Sequence, residues 1–427
     1  MTRSFDSRVT RRALLGAGAT VLTATAGCSG LPPLGSRVNF GKVDAPGSGK
    51  PVYRKWLPAP TAAASNTTFG HVEDSQDRPG YMFNYSEPPA FEGAPVPLNQ
   101  ARDWNVPTLD YFGVGFDNYE RLVSVDFGTA VAIEADVDPG SVAETVTSSG
   151  YESDGTYRDY DLFSRPDVYR VLAVRGDAML FATGERADPD VRAMADARAG
   201  ELARFHERNE DRAALTDAAG SRPWLFYGFG GFVRGDLTEH LVGEATGFDY
   251  GDDHVYTYYT YLFDDAAAVD KTAIQNAMRD RIRSDESLGP FGPDTLTADV
   301  DVGGRVVSVE SRHPRDEFLG SDRTTPMPQI TWGIDEDVAA GRLTVRHEAG
   351  DSVDASVVYL RYSPPDWSQE TSATLDDPRQ FVAEYDTIEP SDSLTLDTSD
   401  LPDGTELRLV YTFERQSASA FTYEVSA

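Results

Sequence analysis

The chain carries one thiol, Cys28, among 427 residues. A lone cysteine forms no intrachain disulfide and supplies no thiolate cluster for zinc, so its remaining chemistry is that of a nucleophile that can carry a covalent adduct. Elsewhere reactive constellations are scarce. No Gly-x-Ser-x-Gly elbow occurs. Gly47-Ser48-Gly49-Lys50 is superficially like a phosphate-binding loop. However, Pro51 stands where the Mg²⁺-binding hydroxyl belongs and Asp44 replaces the first glycine, so the segment reads as a linker. The six histidines, His71, His206, His240, His254, His313 and His347, are far apart in sequence, and none sits in a His-x-x-x-His pair. Asp252-Asp253 and Asp264-Asp265 are oxygen donors of the kind Ca²⁺ takes, without EF-hand spacing. Asp264-Asp265 reads better as a cap on the following helix, whose dipole favours negative charge. Among 70 acids, paired carboxylates for glycoside hydrolysis cannot be singled out by spacing. No catalytic residue, metal ligand or cofactor is therefore assigned. The run Val255–Phe263 is rich in tyrosine. Its alternation puts Tyr256 and Tyr258 on the face opposite Tyr259 and Tyr261, which makes the first two candidates for an aromatic interaction face toward a protein or glycan. The competing expectation is an amphipathic strand whose tyrosines cover helices.

The residues around Cys28 say what its adduct would be. Arg3, Arg8, Arg11 and Arg12 make a basic start, and Ala13 to Ala26 carries no charge. That stretch is shorter than the roughly 20 apolar residues a spanning helix needs, and it reads as the apolar region of a signal peptide. Thr10-Arg11-Arg12-Ala13-Leu14-Leu15 resembles the twin-arginine export signal. Thr25-Ala26-Gly27-Cys28 resembles a lipobox, where small residues fit a peptidase groove and the cysteine sulfur takes a lipid thioether. The resemblance implies a lipoprotein attached to the membrane through Cys28, on the extracellular face. Two acyl chains would hold it firmly, whereas one binds marginally.

Composition bears on the solvent and the partners. The formal charge is −32, with 46 Asp, 24 Glu, 34 Arg and only 4 Lys. Removing residues 1–27 takes away four Arg and one Asp and leaves about −35. Such self-repulsion destabilises a compact state in dilute buffer and is screened in molar salt, where the Debye length is about 3 Å. The acidic, lysine-poor composition resembles that of haloarchaeal proteins. No basic patch exists for nucleic acid, and the acidic body would be repelled by anionic headgroups. Asn66-Thr67-Thr68 and Asn84-Tyr85-Ser86 match the N-glycosylation sequon, making Asn66 and Asn84 candidate acceptors.

The chain divides, on these signals, into a signal peptide (1–27), a lipidated cysteine and flexible Gly/Pro/Ser-rich tether (28–52), a first α+β unit (53–214), a second (215–320) and an all-β module (321–427). Asp138-Pro139 announces a short helix with Val142 and Val146 at i, i+4, ended at Gly150. Strand signals follow at Tyr157–Phe163, Tyr169–Val174 and Ala178–Thr183, with a turn at Arg175-Gly176-Asp177. Asp188-Pro189 opens a longer helix. A similar order follows: strand Trp224–Val233, short helix from Gly235-Asp236 through Leu237 and Leu241 to Gly247-Phe248, strand His254–Phe263, helix Asp265–Arg283, and a hairpin turning at Gly303-Gly304. The expectation is α+β, with ferredoxin-like units of about 100 residues that could be a duplication.

Residues 329–427 show short strand signals at regular spacing, which indicates a β-sandwich. Gly341–Ala355 resembles a segment of haloarchaeal type IV pilin-like surface proteins, where it belongs to an Ig-like domain. The resemblance implies an Ig-like sandwich. Filament formation does not carry over, because a pilin's apolar assembly helix is missing from this pattern. The functional expectation is a non-enzymatic, lipid-anchored surface protein acting in envelope structure or extracellular interaction. One alternative is a ligand-binding or sensory lipoprotein with a pocket between the α+β units. Another is an exported hydrolase, which needs a cleft holding paired carboxylates or a histidine–carboxylate contact.

Overall fold

The computed structural model describes residues 38–60, 66–70, 81–91, 95–228, 235–283, 296–315, 326–365, 373–413 and 416–426. Arg11, Arg12 and Cys28 lie outside the described residues. Among those described, no helix is long and apolar enough to cross a membrane.

Thirteen strands form one sheet: β1 (Val38–Phe40), β2 (Phe83–Ser86), β3 (Arg121–Val125), β4 (Ala130–Glu134), β5 (Glu152–Tyr157), β6 (Tyr160–Arg165), β7 (Arg170–Arg175), β8 (Ala178–Thr183), β9 (Trp224–Tyr227), β10 (Leu241–Tyr250), β11 (His254–Phe263), β12 (Leu296–Gly303) and β13 (Val306–Pro314). Their order is β1-β12-β13-β11-β10-β9-β2-β3-β4-β8-β7-β6-β5. The β1–β12 pair is parallel. The sheet is joined at its middle by β2, which pairs with β3 on one side and β9 on the other.

Among the described residues five α-helices cover both faces: α1 (Pro95–Asn105), α2 (Pro139–Ser148), α3 (Ala187–Ala199), α4 (Glu210–Ala219) and α5 (Lys271–Arg283). On one face α3 and α4 bury Val191, Met194, Leu215 and Ala219 against Val123, Leu180, Leu225 and Leu262. On the other, α1 and α2 lie over Leu122, Ile133, Leu172 and Trp224, and α5 sets Ile274 and Met278 on Tyr259, Tyr261 and Val309. Burial on both sides explains why strands such as Ala178–Thr183 read as unbroken apolar runs.

This arrangement corrects the expectation of α+β ferredoxin-like units followed by an Ig-like sandwich. A single 13-stranded sheet runs through residues 38–314, with helices on both faces. The suggested second short helix is a 3₁₀ stretch, Gly235–His240, after which Leu241–Tyr250 is a strand. The element order that suggested a duplication is thereby lost. Gly247, read from the sequence as a helix end, marks close packing instead, as Gly243 does. A Cβ on Gly243 would come 2.8 Å from Leu215, and one on Gly247 would come 2.9 Å from Arg222. Part of the stretch read as a tether also lies on the sheet. Val38–Phe40 is β1, Gly49 bridges Ser221, and the Pro46 carbonyl accepts from Arg222 at 2.7 Å.

The C-terminal residues build β14 (Ile330–Asp337), β15 (Arg342–Gly350), β16 (Val353–Asp354), β17 (Val358–Ser363), β18 (Ala373–Thr374), β19 (Thr387–Ile388), β20 (Ser393–Asp397), β21 (Thr405–Phe413) and β22 (Gln416–Val425). They pair as small sheets, β14-β15-β20, β16-β19 and β18-β17-β21-β22, around Trp332, Leu360, Phe381 and Tyr411. The part is fastened to the large sheet by charge and amide groups. Arg102 pairs with Asp351 at 2.5 Å, and the Gln329 amide donates to the Asp110 carbonyl at 2.7 Å. Arg165, at the end of β6, pairs with Glu348 of β15 at 2.8 Å.

Candidate functional site

A cleft of about 540 Å³ opens where α4 crosses the ends of β9, β10 and β11. Its wall comes from Arg212 and Leu215 of α4, Tyr227 of β9, Thr238–Gly243, Leu262 and Asp264. Local sequence sets each piece. Asn209 caps α4, its side chain accepting from the Arg212 N–H at 2.9 Å, and Gly243 admits the close approach of Leu215. The Asp264 N–H donates to the His240 carbonyl at 2.9 Å, which ties the two sides of the mouth together.

The charges in the cleft differ in how they are satisfied. Asp211 pairs with Arg305 at 2.9 Å. His240 Nδ1 lies 3.1 Å from Asp264, both half-exposed. Arg212 is half-buried, with its guanidinium 4.7 Å from the centre of the Phe205 ring. No carboxylate among the described residues pairs with it, and its Nε has no hydrogen-bond partner. Burial pulls its pKa below the usual guanidinium value, and the Tyr227 and Tyr81 phenols only partly counter this. Tyr227 is itself buried, which raises its phenol pKa. The cleft thus holds a desolvated cation on an aromatic floor, with aliphatic walls and an acidic rim. Such a site can bind an anionic group that replaces the water the guanidinium has lost.

Sequence patterning did not single out Arg212, though a signal exists. It is the third residue of α4, at the helix end where the dipole disfavours a cation.

The sequence-derived sites fall elsewhere. Tyr258 is 6% exposed, lies under the Arg222 guanidinium at 3.5 Å, and donates to the Pro46 carbonyl at 3.3 Å. Tyr256 is half-buried. Tyr258 is therefore no part of an open aromatic face, because Arg222 and the chain around Pro46 cover it. Asn66 is exposed in a turn, and the Thr68 hydroxyl of its sequon donates to Asp190 at 2.7 Å. Asn84 is 4% exposed on the central strand β2, where the folded sheet leaves no room for a glycan. Asp265 caps a 3₁₀ turn, accepting from the Ala267 N–H at 2.9 Å, while Asp270 accepts from Thr272 at the start of α5 at 3.0 Å. Among the described residues no three His, Cys, Asp or Glu side chains gather as a metal site.

No protein-family model matches the chain. No curated protein matches it. Among solved structures, crystal form I of TP0453 aligns at a TM-score of 0.36 with 8% identity, over 58% of this chain and 94% of that one. Crystal form III of TP0453 gives 0.33 with 9% identity, over 57% and 94%. Scores this low support no statement about the fold or the function of this chain.

Proposed function

We propose that the chain is exported through Arg11-Arg12, lipidated at Cys28 and displayed on the outer face of the membrane, where its body binds a small anionic ligand without transforming it. The observation that carries the binding reading is the half-buried Arg212 in the cleft, with no paired carboxylate among the described residues. An unpaired guanidinium is costly to desolvate, and a bound carboxylate or phosphate offsets that cost through charge-assisted hydrogen bonds.

Titration calorimetry with acetate, succinate and inorganic phosphate in molar NaCl tests this. Molar salt screens the repulsion between an anion and a chain of formal charge −32. At least one probe should bind, and Arg212→Gln should weaken it about tenfold or more. Unchanged affinity in the variant rejects the assignment. For the anchor, Cys28→Ala should release the protein into the medium or block its processing. A variant that still partitions with membranes rejects lipid attachment at that residue.

A second reading, hydrolysis, draws on the His240–Asp264 contact in the same cleft. There Asp264 would orient the imidazole and Nε2 would take a proton from water. It predicts turnover of an anionic ester that His240→Gln abolishes while binding persists.

A further inference from the structure

At the β3–β4 turn, on a different part of the sheet, three residues with oxygen-bearing side chains help line a space too small for an organic ligand. The cavity measures about 10 Å³ and is lined by Met82, Phe83, Asn84, Ser124, Asp126 and Phe127. That is room for one particle the size of a water molecule. Asn84 of β2 stands directly opposite Ser124 of β3, so their side chains leave the same face about 5 Å apart. They are 4% and 1% exposed, and neither Asn84 Oδ1 nor Ser124 Oγ has a hydrogen-bond partner. Asp126 Oδ1 accepts from the Met82 N–H at 2.9 Å. No cation pairs with this carboxylate among the described residues, and burial raises its pKa. Asp190, which is fully buried, lies close enough for the two carboxylates to repel. Burial first, and Asp126 in part, lift its pKa to about 6.

We propose that this cavity is a binding site for one Na⁺ ion, coordinated by Asp126, Asn84 Oδ1 and Ser124 Oγ. The donors are all oxygen, which selects a hard cation. Asp126 is the one carboxylate among the residues that line the cavity, and its single charge favours a monovalent over a divalent ion. A water molecule would satisfy the amide and hydroxyl oxygens but would leave the charge of the half-buried Asp126 carboxylate without a counter-ion.

The test is the melting temperature of the full chain in NaCl against choline chloride at equal ionic strength, so that screening is constant. Bound Na⁺ stabilises the folded state by mass action, and the melting temperature should be about 3 °C or more higher in NaCl. Asp126→Asn should fold, since it removes an unpaired half-buried charge, and should erase that difference. Ser124→Ala, a smaller change, should reduce it. Equal melting temperatures for the wild-type chain in the two salts overturn the proposal in favour of water. So does a difference that Asp126→Asn leaves intact.

Discussion

Replacing Arg165 with Met is expected to destabilise the fold by about 3–5 kcal/mol, because it removes a buried guanidinium and leaves two half-buried carboxylates without their partner. Arg165 is 2% exposed. Its Nε and Nη2 grip the two Asp167 oxygens at 2.8 and 2.6 Å. Its Nη1 donates to the Ser149 carbonyl at 2.9 Å and to Glu348 at 2.8 Å. Asp167 in turn accepts from the Ile334 N–H at 3.2 Å, so one guanidinium holds β14 and β15 to the end of β6. The two acids respond differently. Burial works to raise the Asp167 pKa, yet the forked hydrogen bonds and charge of Arg165 bring it below the usual carboxylate value. Glu348 receives one such bond, and burial keeps its pKa raised. The packing leaves no slack for rearrangement. A Cβ on Gly333 would come 2.0 Å from Glu348, and one on Gly150 would come 3.0 Å from Arg165. Lys at 165 keeps the charge but not the fork, so Arg165→Lys should recover only part of the loss. Denaturant midpoints at fixed salt measure both. A loss below about 1 kcal/mol for Arg165→Met would mean the network adds nothing beyond what apolar packing supplies.

The same junction shows what a sequence can and cannot disclose. Gly176 and Gly304 mark hairpins that the structure contains, and Asp138-Pro139 starts α2 with the Asp138 side chain accepting from Gly140 at 3.3 Å. These are local decisions, made by φ preferences and orphan N–H groups within a few residues. The pairing of Phe83–Ser86 with Trp224–Tyr227 is not local. It joins segments about 140 residues apart and turns two supposed units into one sheet. Leu237 and Leu241 at i, i+4 suggested a helix, but tertiary pairing made Leu241 the first residue of β10. The alternation of Val255–Phe263 correctly divided its tyrosines between faces. What it could not supply was the cover over Tyr258, which comes from residues 46 and 222. The two candidate sites share this property. Arg212 and Tyr227 meet only because α4 crosses β9 and β10, and Asn84 meets Ser124 only through register.

Acid should weaken the fold through His313, a residue that spacing alone left unassigned. It is 1% exposed on β13, with Nε2 3.1 Å from the Ser311 hydroxyl and 3.3 Å from that of Thr257. Burial lowers its pKa to about 3, against about 6.5 for an imidazole in water. Between these values the unfolded chain binds a proton that the folded chain refuses. Stability from this group is therefore complete above about pH 6.5 and falls as pH drops toward 3, by about 1.4 kcal/mol per pH unit and on the order of 5 kcal/mol in all. Asp190 works in the opposite sense. Its raised pKa of about 6 makes protonation favour the folded state as pH falls through the same range. The wild-type profile alone is then a sum of opposing slopes, and the difference between wild type and His313→Gln isolates the histidine. Urea unfolding at steps from pH 7 to pH 5 should show the wild-type advantage shrinking by about 2 kcal/mol. A difference that stays flat across that range would mean His313 titrates normally in the fold, and hence that water reaches the Thr257–Ser311 face of the sheet.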